Sequence, residues 1–238
     1  GTTSTVWMRK ETNEGCKDIK SINVTVVPCN ITWIGTSSAD WNNPSNWNLG
    51  VIPAGHNVFI PGTASLAAQS PIPGVDPVIF TAGANGNCNN MFLYDGANLT
   101  IQTGQVLNVA GNWQAQTSTV VHGEGTVRFN SNSGAKFING STTFPRMTNN
   151  NADVLTISSG MQTIVYALGL QRGNLVTNGS ITLASDANYT ALLDNFSTGF
   201  NGLITGNITV NRHIAGNRGY RYLSNPINVS AALSVLNF

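Results

Sequence analysis

The chain has 238 residues, a formal net charge of +1 and only 9% charged residues, against about a quarter in an average globular domain. That balance supplies no basic field for nucleic acid and no polybasic face for anionic lipid. With 41% apolar residues the chain can bury a core, and its 32 Asn and 25 Gly suit a turn-rich fold with an uncharged, extracellular kind of surface. No apolar run approaches the 18 or more residues of a membrane helix, and no signal peptide is visible. Opening on Gly1 and stopping at Phe238 inside an apolar pattern, the sequence reads as a piece of a longer chain.

In chain order, residues 1–29 form the first unit. They hold Lys10, Lys17, Lys20, Glu11 and Glu14, and they predict two strands, Thr5–Arg9 and Ile22–Val27, closing a preceding sandwich. Cys16 and Cys29 flank the second strand and suit either a disulfide in an oxidising compartment or two unpaired thiols. Pro28-Cys29-Asn30 then hands over to a main domain, residues 30–238. Strict alternation marks strands at Leu99–Ile101, Thr126–Phe129, Ile181–Leu183 and Ile208–Val210. Turns are signalled by Asp95-Gly96, Thr103-Gly104, Asn139-Gly140, Asn178-Gly179 and Asn201-Gly202. Cys88 reads as a small buried hydrophobe ahead of a strand at Met91–Leu93. Only Ala231–Leu236 hints at a turn of helix.

Apolar-x-apolar strands end at Ile101, Phe129, Ile157, Leu183 and Val210, a loose repeat with a period of roughly 27 residues. Such a period is too long for a hairpin and fits one coil of a three-sided parallel β-solenoid. Inward Val, Ile, Leu and Phe would fill such a coil, Gly and Asn would make its corners, and Asn side chains would stack into ladders. The competing architecture is an antiparallel sandwich, which predicts turns about every 8–12 residues and no longer period.

The sharpest local feature is Thr32-Trp33-Ile34-Gly35 followed by Asp40-Trp41-Asn42-Asn43-Pro44-Ser45-Asn46-Trp47, then Pro53 and Val58-Phe59-Ile60-Pro61. Trp33, Trp41 and Trp47 suit either a carbohydrate-stacking platform or a cap over the open end of a solenoid, where core and strand edges need cover. This string resembles the opening of repetitive regions in large Bacteroidetes surface proteins, including gliding-motility adhesins and other type IX secretion cargo. The likeness continues through Cys88–Met91, Val109–Trp113, Val210–Ile214 and Arg218–Pro226, covering roughly residues 30–228. Trp7-Met8-Arg9 with Cys16 and Asn23–Val27 is similar to the end of the immunoglobulin-like modules that precede such regions. The resemblance implies an all-β chain: a right-handed parallel β-helix behind a partial immunoglobulin-like sandwich. It implies a bacterial cell surface location and a structural, adhesive role. The implied partners are polysaccharide or surface ligands, other modules of one long chain, and the outer-membrane machinery during export.

Catalytic motifs are sparse. Outside residues 1–29 the one glutamate is Glu124, and Asp40, Asp76, Asp95, Asp153, Asp186 and Asp194 are scattered, whereas a glycosidase needs two facing carboxylates. The alternatives are a carbohydrate-binding module or an accessory region of a surface polysaccharide-degrading enzyme; a polysaccharide lyase itself would need an acidic calcium cluster the sequence lacks. His56, His122 and His213 are isolated, and no Cys-x-x-Cys, phosphate loop or serine elbow occurs. The expectation is therefore a non-enzymatic protein with no catalytic residue, no metal and no cofactor, contacting neither nucleic acid nor the membrane directly. Arg212, His213, Arg218, Tyr220, Arg221 and Tyr222 form a basic-aromatic cluster, expected to pack the last coil or to hold an acidic glycan.

Overall fold

The computed structural model describes residues 2–11, 15, 17–26, 30–62, 75–80, 82–194, 203–214 and 216. Cys16, Cys29, the Arg218–Tyr222 part of the basic-aromatic cluster and the Ala231–Leu236 segment lie outside the described residues. Among the described residues every regular element is a β-strand except one 3-10 turn, Pro44–Asn46. β1 (Thr2–Glu11) and β2 (Lys17–Val26) pair antiparallel, from Thr2 opposite Val26 to Glu11 opposite Lys17. Both strands run longer than predicted. The Lys17–Glu11 ion pair at 3.9 Å is about half exposed on each side and adds little. The hairpin pairs with no third strand among the described residues, so the immunoglobulin-like sandwich is not shown.

From Asn30 onward the chain winds as a three-sided β-solenoid, and every pairing between its strands is parallel. The first face stacks β3 (Asn30–Thr32), β4 (Asn57–Ile60), β7 (Met91–Leu93), β10 (Trp113–Ala115), β13 (Lys136–Asn139), β15 (Leu155–Ile157), β17 (Leu175–Val176) and β20 (Ile204–Thr205). The second face stacks β5 (Val78–Ile79), β8 (Leu99–Ile101), β11 (Thr119–Gly123), the starts of β14 (Thr142–Asn150) and β16 (Gln162–Arg172), β18 (Ile181–Leu183) and β21 (Ile208–Val210). The third stacks β6 (Gly86–Cys88), β9 (Val106–Val109), β12 (Thr126–Phe129), the ends of β14 and β16, and β19 (Leu192–Asp194).

The solenoid is as expected, but its central turns are shorter than the period read from the sequence. On the third face Gly86 pairs with Leu107, Leu107 with Val127, Val127 with Met147 and Met147 with Leu168. A turn in this central stretch therefore takes roughly 20 residues, and each side roughly a third of that. Ile101 sits on the second face, Phe129 on the third and Ile157 on the first. Each step from one of these residues to the next thus advances one turn plus one side. Over these steps four sides mimic a period that the central turns do not have, whereas the last step, from Leu183 to its direct partner Val210, is a single longer turn.

Alternate residues point inward and stack in register. On the third face Cys88, Val109 and Phe129 form one buried column. Trp113, Phe129 and Phe144 come from three different faces and meet on the axis, with ring centroids 5.2–6.3 Å apart. The indole of Trp113 donates to Thr142 Oγ1 at 3.0 Å, so the largest ring of this group keeps no unpaired donor. At the corners the predicted turns are made by Gly96, Gly104, Gly140 and Gly179, all with positive φ. Gly140 shows why: an added Cβ would sit 1.9 Å from the carbonyl oxygen of Ala115 in the turn below.

Asparagine ladders form as expected. Asn57 Oδ1 accepts from the side-chain nitrogens of Asn89 (3.0 Å) and Asn90 (2.8 Å), Asn90 Oδ1 accepts from the Asn112 backbone N–H (2.7 Å), and Asn112 Oδ1 from that of Phe137 (3.0 Å). Each carboxamide bridges one turn to the next, so the polar corner is cross-linked along the stack.

Candidate functional site

The three tryptophans offered as a stacking platform are inside the protein. Trp33, Trp41 and Trp47 are at most 1% exposed, and Trp47 meets both others edge to face at 4.9 and 4.7 Å. The Trp33 indole donates to Val75 O at 2.7 Å and that of Trp47 to Trp41 O at 2.8 Å. A ring with no exposed face has nothing to stack a sugar on, so this cluster is a corrected expectation: the rings fill the first turn instead. Asn46, fully buried, organises the segment. Its Oδ1 accepts from Ser37 N and Ser38 N at 2.9 Å each, and its Nδ2 donates to Ser38 Oγ at 3.0 Å and Asp40 O at 2.9 Å. Beside it, Asn48 donates its N–H to Thr32 O (3.0 Å) and accepts Thr32 N–H on Oδ1 (2.9 Å). Thr32, on the outer edge of β3, is thereby paired without a further strand, a device that blunts edge-to-edge association.

Phe59 and Phe92 stack on the outside of the first face at 4.5 Å and 9°. Their faces cover each other and leave ring edges outward.

The groups with chemistry converge elsewhere, along the corner between the second and third faces. Taken turn by turn, Thr103 Oγ1 donates to Glu124 Oε2 at 3.3 Å, and Glu124 O accepts from Arg146 Nε at 3.2 Å. The Arg146 guanidinium lies 5.3 Å over the Tyr166 ring, and Tyr166 meets Tyr189 at 5.3 Å and 60°. Next comes Asp186, whose Oδ1 accepts the N–H groups of Asn188 (2.7 Å) and Tyr189 (3.0 Å) and whose carboxylate also takes the Tyr189 phenol. His213 closes the row: its backbone N–H donates to Ser185 Oγ at 2.9 Å, and Ser185 Oγ lies 2.7 Å from Thr190 Oγ1. The local reason is the β-bulge between Phe144 and Arg146, which turns β14 from one face to the next and sets Arg146 on the corner.

The electrostatics follow from these contacts. The Asn188 N–H, with the Tyr189 N–H and phenol and the nearby His213, holds the Asp186 carboxyl below its ordinary range despite some desolvation. The same bond to Asp186, with that residue's charge, pushes the Tyr189 phenol upward. Burial pushes the Cys88 thiol far up, so it behaves as the inert core residue the sequence suggested.

Glu124 and Asp186 stand three turns apart on this corner, about 14 Å along the axis at parallel-strand spacing. Asp194 lies on the third face in register with Gly169. His122 is exposed on β11, and the His56 ring accepts from Ala54 N at 3.3 Å in a surface loop. Among the described residues no three of His, Cys, Asp and Glu come together as a metal-binding group. Arg146, Tyr166 and Tyr189 escape a reading of the sequence. Their signal is a spacing close to one turn from each to the next, which speaks only once the turn length is known.

The chain matches no protein-family model, no curated protein and no solved structure.

Proposed function

We propose that the chain is a structural and adhesive segment of a large secreted bacterial surface protein, a gliding or attachment adhesin exported as type IX secretion cargo. On this reading β1 and β2 close an immunoglobulin-like module, and the solenoid winds right-handed, the hand of nearly all parallel crossovers. The observation that carries the proposal is continuity of register. One face runs through eight consecutive parallel strands from β3 to β20, with side-chain ladders bridging successive turns. Such a stack is stiff along its axis and presents lateral groups at about 4.8 Å intervals. Many weak contacts in a row add by multivalency rather than by any one strong site. Its partners would be polysaccharide or another surface ligand, neighbouring modules of the same chain, and the export machinery.

The test is made in the source cells. External protease should release peptides of residues 30–216 from intact cells, and in-frame removal of that span should abolish attachment while the rest of the protein still reaches the surface. Attachment unchanged by the removal would overturn the adhesive role. Peptides obtained only after lysis would overturn the surface location.

A second function, a carbohydrate-binding module, is favoured by one observation: the corner row of tyrosines set between an arginine and a carboxylate.

A further inference from the structure

We propose that the corner formed by Arg146, Tyr166, Tyr189, Asp186 and His213 is a binding site for a neutral polysaccharide lying along the solenoid axis. The proposal rests on the adhesive reading and names its ligand and place. Three observations carry it.

The first is the loop that supplies Asp186 and Tyr189. On the third face the step from Val127 to Met147 suffices for a turn, yet the step from Leu168 to its partner Leu193 is longer. The excess lies at the corner, between β18 and β19, where Ser185 and Thr190 bridge antiparallel and tie the base of the loop. A solenoid turn does not need this excursion, and loops beyond the structural minimum are where binding groups concentrate.

The second is preorganisation. Asp186 is held by two backbone N–H groups, and Arg146 is held by the Glu124 carbonyl and the Tyr166 ring. Each ionised group is already ordered before a ligand arrives, so binding does not bear that entropy. Hydrogen bonds from sugar hydroxyls to such groups are about twice as strong as neutral ones.

The third is charge. Glu124 and Arg146 bring one charge of each sign to adjacent turns, their contact running through the Glu124 backbone carbonyl, and Asp186 stands beside a histidine. The row has no net positive field to attract an acidic glycan, and its two carboxylates would repel one. A polyhydroxyl polymer instead finds donors, acceptors and rings repeated turn by turn, at a spacing close to that of successive sugars.

The experiment uses the full 238-residue chain in affinity gel electrophoresis with laminarin, galactomannan and soluble starch as neutral probes, and alginate and polygalacturonate as acidic ones. At least one neutral polymer should retard the protein. D186A and Y189A should each weaken that retardation at least tenfold, with Y189F, which keeps the ring and loses the bond to Asp186, falling between. Unchanged far-UV circular dichroism and melting exclude misfolding, and Gln114→Ala on the exposed first face serves as the neutral control. Retardation by acidic polymers alone, or by none, overturns the proposal. Retardation that survives D186A and Y189A but is lost in Gln114→Ala moves the ligand to the first face and overturns this site while leaving the adhesive segment standing. The adhesive reading itself fails only if removal of residues 30–216 leaves attachment intact.

Discussion

A single buried side chain, Asn46, shows how little of the first turn is left to chance. Its carboxamide closes two backbone donors and one backbone acceptor within the Trp33–Trp47 segment. Asn46→Ala would take the acceptor from Ser37 N–H and Ser38 N–H together, while Asp40 C=O would keep the Asn43 N–H. A buried unpaired group costs about 1–3 kcal/mol, and since Ser37 is exposed and Ser38 half-buried, urea unfolding should show a loss of about 1–3 kcal/mol in all. A change under about 1 kcal/mol would show that the segment is not ordered by this residue. Asp186 makes a pH-dependent counterpart. Its folded-state pKa is lowered, chiefly by the Asn188 N–H, so its contribution is present above the unfolded value, about 3.9, and is lost as pH falls through the folded value. The Asn188 and Tyr189 amide resonances should shift together on acidification, with a midpoint below about 3.9. A midpoint at or above that value would mean the carboxylate does not hold the loop.

Among the elements, strands were legible because their physics is local. Leu99–Ile101, Thr126–Phe129, Ile181–Leu183 and Ile208–Val210 alternate more and less buried residues, and nearby corner glycines carry the positive φ that only turns demand. The turn length was not legible, because a buried column needs only an apolar residue on the inward side. Val, Leu and Phe on any face satisfy that need equally, so sequence cannot say which face a strand joins. The tryptophans misled for a related reason. Asn- and Ser-rich flanks mark a loop, but a loop can fold its rings inward when an asparagine satisfies its backbone, as Asn46 does. The corner row of Arg146, Tyr166 and Tyr189 was hidden behind the same unknown period. Corners have one demand that is strict. At Gly140 φ is +85° and the space of a Cβ is taken by the Ala115 carbonyl. Gly140→Ala therefore adds a backbone clash to the usual left-handed penalty of about 1–2 kcal/mol, and thermal unfolding should show a loss above about 2 kcal/mol. Wild-type stability in that variant would mean the stacked corners can part without cost.

At the scale of the whole molecule, a solenoid is a one-dimensional stack in which each turn contacts its neighbours alone, so a turn can be removed if the cut respects the register. Ile138 pairs with Ile157 on the first face, and deletion of residues 139–157 joins Ile138 to Ser158 at equivalent points of successive turns. The shortened chain keeps three sides in every turn. Trp113 loses Phe144 but gains Ile164, which occupies the same inward column. The cost is one set of stacked interfaces, so this variant should fold, melt cooperatively at a lower temperature and keep blue-shifted tryptophan emission. Deletion of residues 130–157 instead follows the longer spacing between Phe129 and Ile157. It removes one turn plus the first-face strand of another, joining the third face of β12 directly to the corner after β15. β10 would lose its stacking partner on one side, and the chain would have to cross the open side of the triangle. That variant should fail to fold, with red-shifted emission and no cooperative transition. The pair of deletions separates the two periods: if the longer deletion folds and the shorter one does not, the repeating unit is the longer one and the three-sided register is wrong.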